Sequence, residues 1–244
     1  MLKKLGGFCF LLCGLCILVA LGYWQIERAV WKQGIIDRLD REYEKDASQY
    51  KLTPEDLTSY DTGEFKAVRG TISGYFLPEE TLFWPSLLNG QYGYRLMDPL
   101  ILDDGKILMV ERGWSPQKLG TNIPVRLYLP PTDRRVTVTG LVRKKENNYF
   151  TPENNPISNQ WRRFRAKQIA DHLSVDYVFA SVLFAESIDA KSDVGLADIS
   201  GRLRVYPRNK HRQYAFFWFT LAGLWIVILT PPLFRKNLKK SLVI

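Results

Sequence analysis

The chain of 244 residues contains only three cysteines, three methionines and two histidines. Cys9, Cys13 and Cys16 all lie near the N-terminus, so the long segment 27–212 can form no disulfide and offers no thiolate. Met97, Met109, His172 and His211 are too few and too scattered to assemble a copper carrier or a zinc site. There is no Gly-x-Ser-x-Gly elbow, no phosphate-cradling loop and no Gly-x-Gly-x-x-Gly dinucleotide motif. The paired acids Asp103/Asp104 and Glu79/Glu80 are adjacent in sequence and sit in predicted turns, where solvated carboxylates are expected and not an acid/base pair. Repeats and low-complexity tracts are also missing. These absences argue against an enzyme, and the 46% hydrophobic content argues against disorder.

What the chain has is two long runs free of charge. Leu5–Ile26 and Gln213–Phe234 each hold 22 uncharged residues. As helices they would be about 33 Å long, enough to cross the hydrocarbon core of a bilayer. The expected organisation is a cytoplasmic stub 1–4, a first membrane helix 5–26, an exported domain 27–212, a second membrane helix 213–234 and a basic tail 235–244. The run at Ala20-Leu21-Gly22 is a poor cleavage site, so the first span reads as an uncleaved anchor. The three cysteines share one face of that helix, where small packing residues are the expectation and not a redox site.

Dividing the net charge of +9 supports the same plan. Lys3, Lys4, Arg235, Lys236, Lys239 and Lys240 flank the spans with no acid beside them, a positive-inside signal that puts both termini in the cytoplasm. The segment between the spans is left with a net charge of only +3, which removes most of the case for nucleic-acid binding. The expected location is a bacterial inner membrane with the central domain in the periplasm. A transmembrane sensor is a weak fit, because the ten residues 235–244 leave no room for an output domain.

Residues 27–46 continue the first helix, with an apolar stripe at Ile35, Ile36, Leu39 and Tyr43. Thr53 is placed to cap a short helix beginning at Pro54. Short strands are predicted at 65–76, 81–84, 93–102, 106–113, 134–143, 176–185 and 202–206, with a hairpin turn at Asp103-Asp104-Gly105. A helix is predicted over 160–172, with His172 at its C-terminal end, where an imidazole complements the dipole. The fold class is α+β: two transmembrane helices flanking a mainly antiparallel-β domain, with closure into a small barrel as one arrangement of it. The basic clusters Arg143-Lys144-Lys145 and Arg162-Arg163 read as solvated faces or docking patches.

His211 stands apart by its position, two residues before the second span. In helical projection it shares a face with Tyr214, Ala215, Trp218, Ala222 and Trp225. That face has two readings. It can accept a planar macrocycle with His211 as axial ligand, or it can be an interfacial aromatic belt. Arg208, Lys210 and Arg212 form a basic collar at the same level, suited to lipid headgroups or to carboxylates on a ligand. Gln25, Arg28 and Lys32 lie near one face of the first helix at the corresponding edge.

The chain resembles the Surfeit-locus-one family of cytochrome oxidase assembly proteins. The resemblance begins at Leu21-Gly22-x-Trp24-Gln25-x-x-Arg28 and runs through Gly70, Gly93-Tyr94, Pro99-Leu100 and Arg112-Gly113-Trp114-x-Pro116. It continues with Gly140, Phe150-x-Pro152, Asn155-Pro156, Trp161 and Asp171, and ends at Asn209-x-His211-x-x-Tyr214-Ala215-x-x-Trp218-Phe219. Glu111, Lys210 and Arg212 depart from the family's usual residues. The resemblance implies a membrane assembly factor and no catalytic residue. It also implies transient binding of haem a and its delivery to the catalytic subunit of a haem–copper oxidase. His211 matches the family's candidate ligand, and Tyr214 and Trp218 would wall the site. Arg28, Arg208 and Arg212 would meet the propionates. Partners would be oxidase subunits, haem a synthesis enzymes and membrane lipid. A scaffold that stabilises oxidase subunits without touching haem fits the same residues. Arg112-Gly113-Trp114 is expected to be structural, with the glycine following a strand.

Overall fold

The structure is a computed structural model that describes residues 2–58, 66–78, 80–121, 132–145, 147, 150–188 and 206–234. It divides into two compact units, Met1–Asp37 with Tyr206–Ile244, and Arg38–Val205.

The first unit is built from two helices. Helix α1 runs unbroken over Leu2–Glu44, and its segment up to Asp37 belongs to this unit. Helix α4 covers His211–Phe234. Both are long and apolar enough to cross a membrane. Phe10, Ile17, Val227 and Ile228 are exposed, the inverse of a soluble protein's helix pair and the pattern expected of lipid-facing positions. Cys9, Cys13 and Cys16 are exposed as well. Leu11, Gly22, Gln25 and Ala29 on α1 and Ala215 and Ala222 on α4 are buried. These positions recur at spacings of three, four and seven residues, the signature of two helices packed along one seam.

Among its described residues the second unit holds a six-stranded sheet, two short α-helices and the last turns of α1. Its strands are β1 (Ala67–Phe76), β2 (Leu82–Leu88), β3 (Gln91–Ile101), β4 (Ile107–Pro116), β5 (Val136–Lys144) and β6 (Val178–Ile188), in the order β1-β5-β6-β4-β3-β2. All neighbours are antiparallel except β4 and β6. The end of β1 also pairs with β3, Tyr75 opposite Ile101 and Phe76 opposite Leu100, so the sheet curls round toward itself. The β2–β3 turn is carried by Asn89 and Gly90, both at positive φ, as a two-residue type I′ hairpin requires. The turn predicted at Asp103-Asp104-Gly105 is present between β3 and β4, closed by the Gly105 N–H on the Leu102 carbonyl.

Each sheet face has its own core, because alternate strand residues point to opposite sides. One holds Leu52, Leu57, Ile72, Leu108, Val110, Val138 and Phe179. The other holds Trp84, Met97, Met109, Trp161, Phe164, Ile169 and Phe184. Strand β4 is buried over nearly its whole length because both of its faces are covered. Helix α2 (Pro54–Thr58) starts at a reciprocal cap, in which the Asp56 N–H donates to the Thr53 hydroxyl and the Thr53 N–H donates to the Asp56 carboxylate.

Three expectations need correction, and a fourth is untested. The helix predicted over 160–172 forms only at α3 (Ala166–Leu173). Residues before it run extended, because Gln160 bridges to Phe83 and Trp161 enters the core. Strand β2 extends to Leu88 despite Pro85, since it lies at the end of the strand order, where a missing N–H is tolerated. Strand β4 continues past Gly113 to Pro116. Glu111 opposes Met97 and Gly113 opposes Leu96, so Arg112 is an extra, bulged residue, and Gly113 takes a φ of 123° that favours glycine. The strand predicted at 202–206 lies, up to residue 205, outside the described residues.

Candidate functional site

The polar end of the helix pair gathers most of the residues singled out in the sequence. His211 opens α4, and its Nδ1 lies 2.6 Å from Oε1 of Gln25 on α1. One turn along α1, the Asn209 amide donates to the Ala29 carbonyl at 3.0 Å, and the Lys32 ammonium donates to the Arg208 carbonyl at 2.9 Å. At the far end of the seam the Trp225 indole N–H donates to the Leu11 carbonyl at 3.0 Å. The Gln25–His211 and Leu11–Trp225 contacts are 14 residues apart on both helices, so the pair is antiparallel and in step over about 21 Å.

Between these contacts the helices come close because small residues face rings. A Cβ at Gly14 would collide with the Trp225 indole, and one at Gly22 would lie 2.6 Å from the Phe219 ring. The α4 face read from the sequence as a platform is therefore largely the seam with α1: Ala215 and Ala222 are buried, and Trp218 and Trp225 are half-buried. Tyr214 is different. It is 52% exposed, with its ring 6.5 Å from the imidazole in an edge arrangement.

The collar residues divide. Arg28 is exposed and stacks over Trp31 at 4.2 Å, within electrostatic reach of His211 together with Lys32. Arg208 and Arg212 are exposed. Among the described residues none of Arg28, Arg208 and Arg212 makes an ion pair with a carboxylate, so three cations at this edge are available to an anionic group. Among the described residues, no cluster of three or more histidine, cysteine or acidic side chains could hold a bare metal ion.

Residues 12–223 match the SURF1 family. The chain belongs to that family. It is 26% identical to a SURF1-like protein of Rickettsia bellii over 87% of this chain and 84% of the relative. It is also 26% identical to Surfeit locus protein 1 of Homo sapiens, over 83% of this chain and 69% of that protein. A SURF1-like protein of Dictyostelium discoideum shares 22% identity over 85% of this chain and 88% of its own length.

Residues that carried the SURF1 resemblance in the sheet unit serve its architecture. Arg112 and Asp98 form an ion pair, 2.5 Å between Nε and Oδ2, with side chains 0% and 1% exposed. The Thr81 hydroxyl donates to the same carboxylate. Trp114 covers Gly93, where a Cβ would run into the indole. Trp161 is fully buried, stacked on Trp84 with its N–H on Asn159. His172 lies in the last turn of α3, against the edge of Trp161.

The two basic clusters expected to be solvated faces or docking patches are so only in part: Lys144 is exposed, but Lys145 and Arg163 are committed within the chain. Lys145 is mostly buried, with its ammonium 3.0 Å from Glu111 and 4.6 Å from the centre of the Trp84 ring, and Arg95 binds the other Glu111 oxygen. Burial alone would raise the Glu111 carboxyl, but Lys145 and Arg95 outweigh it and hold it below the ordinary carboxylate range. Arg163 pairs with Glu153 at 2.7 Å and donates to the Thr151 carbonyl. The sequence reading overlooked the Gln25–His211 contact and the Leu11–Trp225 tie. A single amide inside an uncharged run was the available signal, since polar groups at membrane depth usually face a partner.

Proposed function

We propose that this SURF1-family chain is a membrane-anchored, non-catalytic assembly factor for a haem–copper terminal oxidase. It takes up haem a transiently at the polar end of the helix pair and passes it toward the catalytic subunit. The observation that carries this reading is the pairing of His211 with Gln25 beside cations that no described acid neutralises. An imidazole with one ring nitrogen engaged keeps the other free, and through it His211 would ligate the haem iron. Arg28, Arg208 and Arg212 would bind the propionates, as guanidinium forks suit carboxylates. Tyr214 would provide the exposed wall, while Trp218 contributes from the edge of the seam. When bound, the haem would supply the redox centre that the client oxidase needs, and His211 with the three arginines would hold it. A single protein ligand on a half-exposed site suits a carrier that must let go.

The start of α1 and the end of α4 lie at one end of the antiparallel pair, which supports a two-span arrangement with the basic ends in the cytoplasm and the sheet unit in the periplasm of a bacterial inner membrane. Oxidase subunits, haem a synthesis enzymes and lipid would be the partners. A scaffold that binds oxidase subunits without haem is the second reading. The observation in its favour is that α1 already fills most of the α4 face.

The test is the absorption spectrum of detergent-purified full-length protein co-produced with haem a synthesis enzymes. A haem a band in wild type that His211→Ala removes, with folding intact, is the expected result. Haem-free wild type under those conditions would sink the carrier reading and leave the scaffold.

A further inference from the structure

Gln25 is an unusual residue for its place. It is 9% exposed, it lies in a run otherwise without polar side chains from Leu5 to Trp24 apart from cysteines and one tyrosine, and its amide reaches across the seam to one atom of one imidazole. A neutral imidazole carries its proton on either ring nitrogen, and in water the Nε2–H form is favoured. The contact from Nδ1 to a carbonyl oxygen changes that preference, because an oxygen can only accept. With Gln25 Oε1 at 2.6 Å, the ring must carry its proton on Nδ1 and present a lone pair at Nε2.

We propose that Gln25 is a positioning residue that locks His211 in the Nδ1–H tautomer and fixes the ring plane, so that Nε2 is permanently the donor nitrogen. Being anchored on α1, it also makes the ligand's readiness depend on the closed helix pair: separating α4 from α1 releases the ring and its tautomer together. The consequence for haem rests on the carrier reading, whereas the tautomer itself does not. An acceptor that orients a ligating imidazole in this way alters metal affinity by about 10–100-fold.

The chain has two histidines, so full-length protein with ¹⁵N-labelled histidine in lipid nanodiscs gives two ring spin systems, and His172→Gln assigns them. The ¹⁵N shifts of His211 are expected to report Nδ1–H in wild type. Gln25→Leu, close in volume and unable to accept, is expected to move the ring to Nε2–H. Gln25→Glu, an acceptor, restores Nδ1–H. A wild-type ring protonated at Nε2, as the opposite orientation of the Gln25 amide would give, overturns the proposal. An unchanged tautomer in Gln25→Leu overturns it as well. In the haem arm, titration with haem a should show an affinity about 10–100-fold weaker for Gln25→Leu and recovered in Gln25→Glu. Equal affinity in all three would remove the functional half of the proposal. If wild type binds no haem while the tautomer shifts as expected, the carrier reading fails and the lock stands.

Discussion

The helix pair and the sheet unit solve the same problem with opposite materials. The sheet unit buries large side chains, and its interior charges are consumed locally: Asp98 by Arg112 and Thr81, and Glu111 by Arg95 and Lys145. The helix pair buries glycine and alanine against rings, and its polar contacts collect at one end apart from the Trp225 bond to the Leu11 carbonyl at the other. There Arg28, Arg208 and Arg212 remain uncommitted to any described carboxylate. A structure that spends its charges on itself is a platform, and one that leaves imidazole and guanidinium groups at an edge can meet a ligand. The contrast supports the site proposed on the helix pair, even though most of the recognisable SURF1 landmarks lie in the sheet unit.

The comparison breaks most severely in the sheet unit. Replacing Arg112 with Leu leaves Asp98 charged and without its cation in a site closed to water, and should cost about 3–5 kcal/mol of stability. Chemical unfolding of the full-length protein, followed by tryptophan fluorescence, would check it. A loss below about 1 kcal/mol would mean that Asp98 does not depend on Arg112 for its burial. Truncating Trp161 to Ala should cost a similar amount, about 3–5 kcal/mol, by opening a cavity beside Trp84.

In the helix pair the expected losses are smaller. Gly22→Leu forces a side chain into the Phe219 ring and should weaken the pairing by about 1–3 kcal/mol. Spin labels on exposed positions of α1 and α4 would show a longer, broader distance distribution, while unfolding of the sheet unit stays unchanged. A distribution identical to wild type would show that the close approach at Gly22 is not needed. Trp225→Phe removes the bond to the Leu11 carbonyl together with the part of the indole that packs on Gly14. The bond itself accounts for about 0.6 kcal/mol of the loss, within reach of a reversible association assay but not of a melting curve.

Acid sharpens the contrast further. The Glu111 carboxyl titrates lower in the folded chain than unfolded, so its contribution is present above the unfolded value, near 4.5, and is lost as pH falls through the folded one. Stability of the sheet unit should therefore decline below about pH 4.5, and Glu111→Gln should flatten that decline while lowering stability at neutral pH. A variant with the same acid slope as wild type would show that other carboxylates govern it.

Much of this was legible without coordinates. Uncharged runs of 22 residues can hardly be anything but two long helices, and the Thr53 cap and Asp103-Asp104-Gly105 turn depend only on neighbours a few residues away. The early start assigned to α3 failed because Trp161 is drawn into the core beside Trp84, a contact 77 positions distant that outweighs local helical preference. The bulge at Arg112 was hidden for a related reason: strand register is a property of two chains in contact. Lys145 looked solvated because a basic run resembles a surface, and only Glu111 on another strand makes its burial tolerable.

The sequence by itself determined two helices long and apolar enough to cross a membrane, the absence of cysteine from segment 27–212, and the family. Each follows from composition or from residue order along one chain. Tertiary structure decided that the aromatic face of α4 is mainly a seam, that Gln25 meets His211 across it, and which charges are neutralised inside. Those outcomes depend on which side chains end up within about 3 Å of one another after folding, and hydrogen bonds and ion pairs act only at that range.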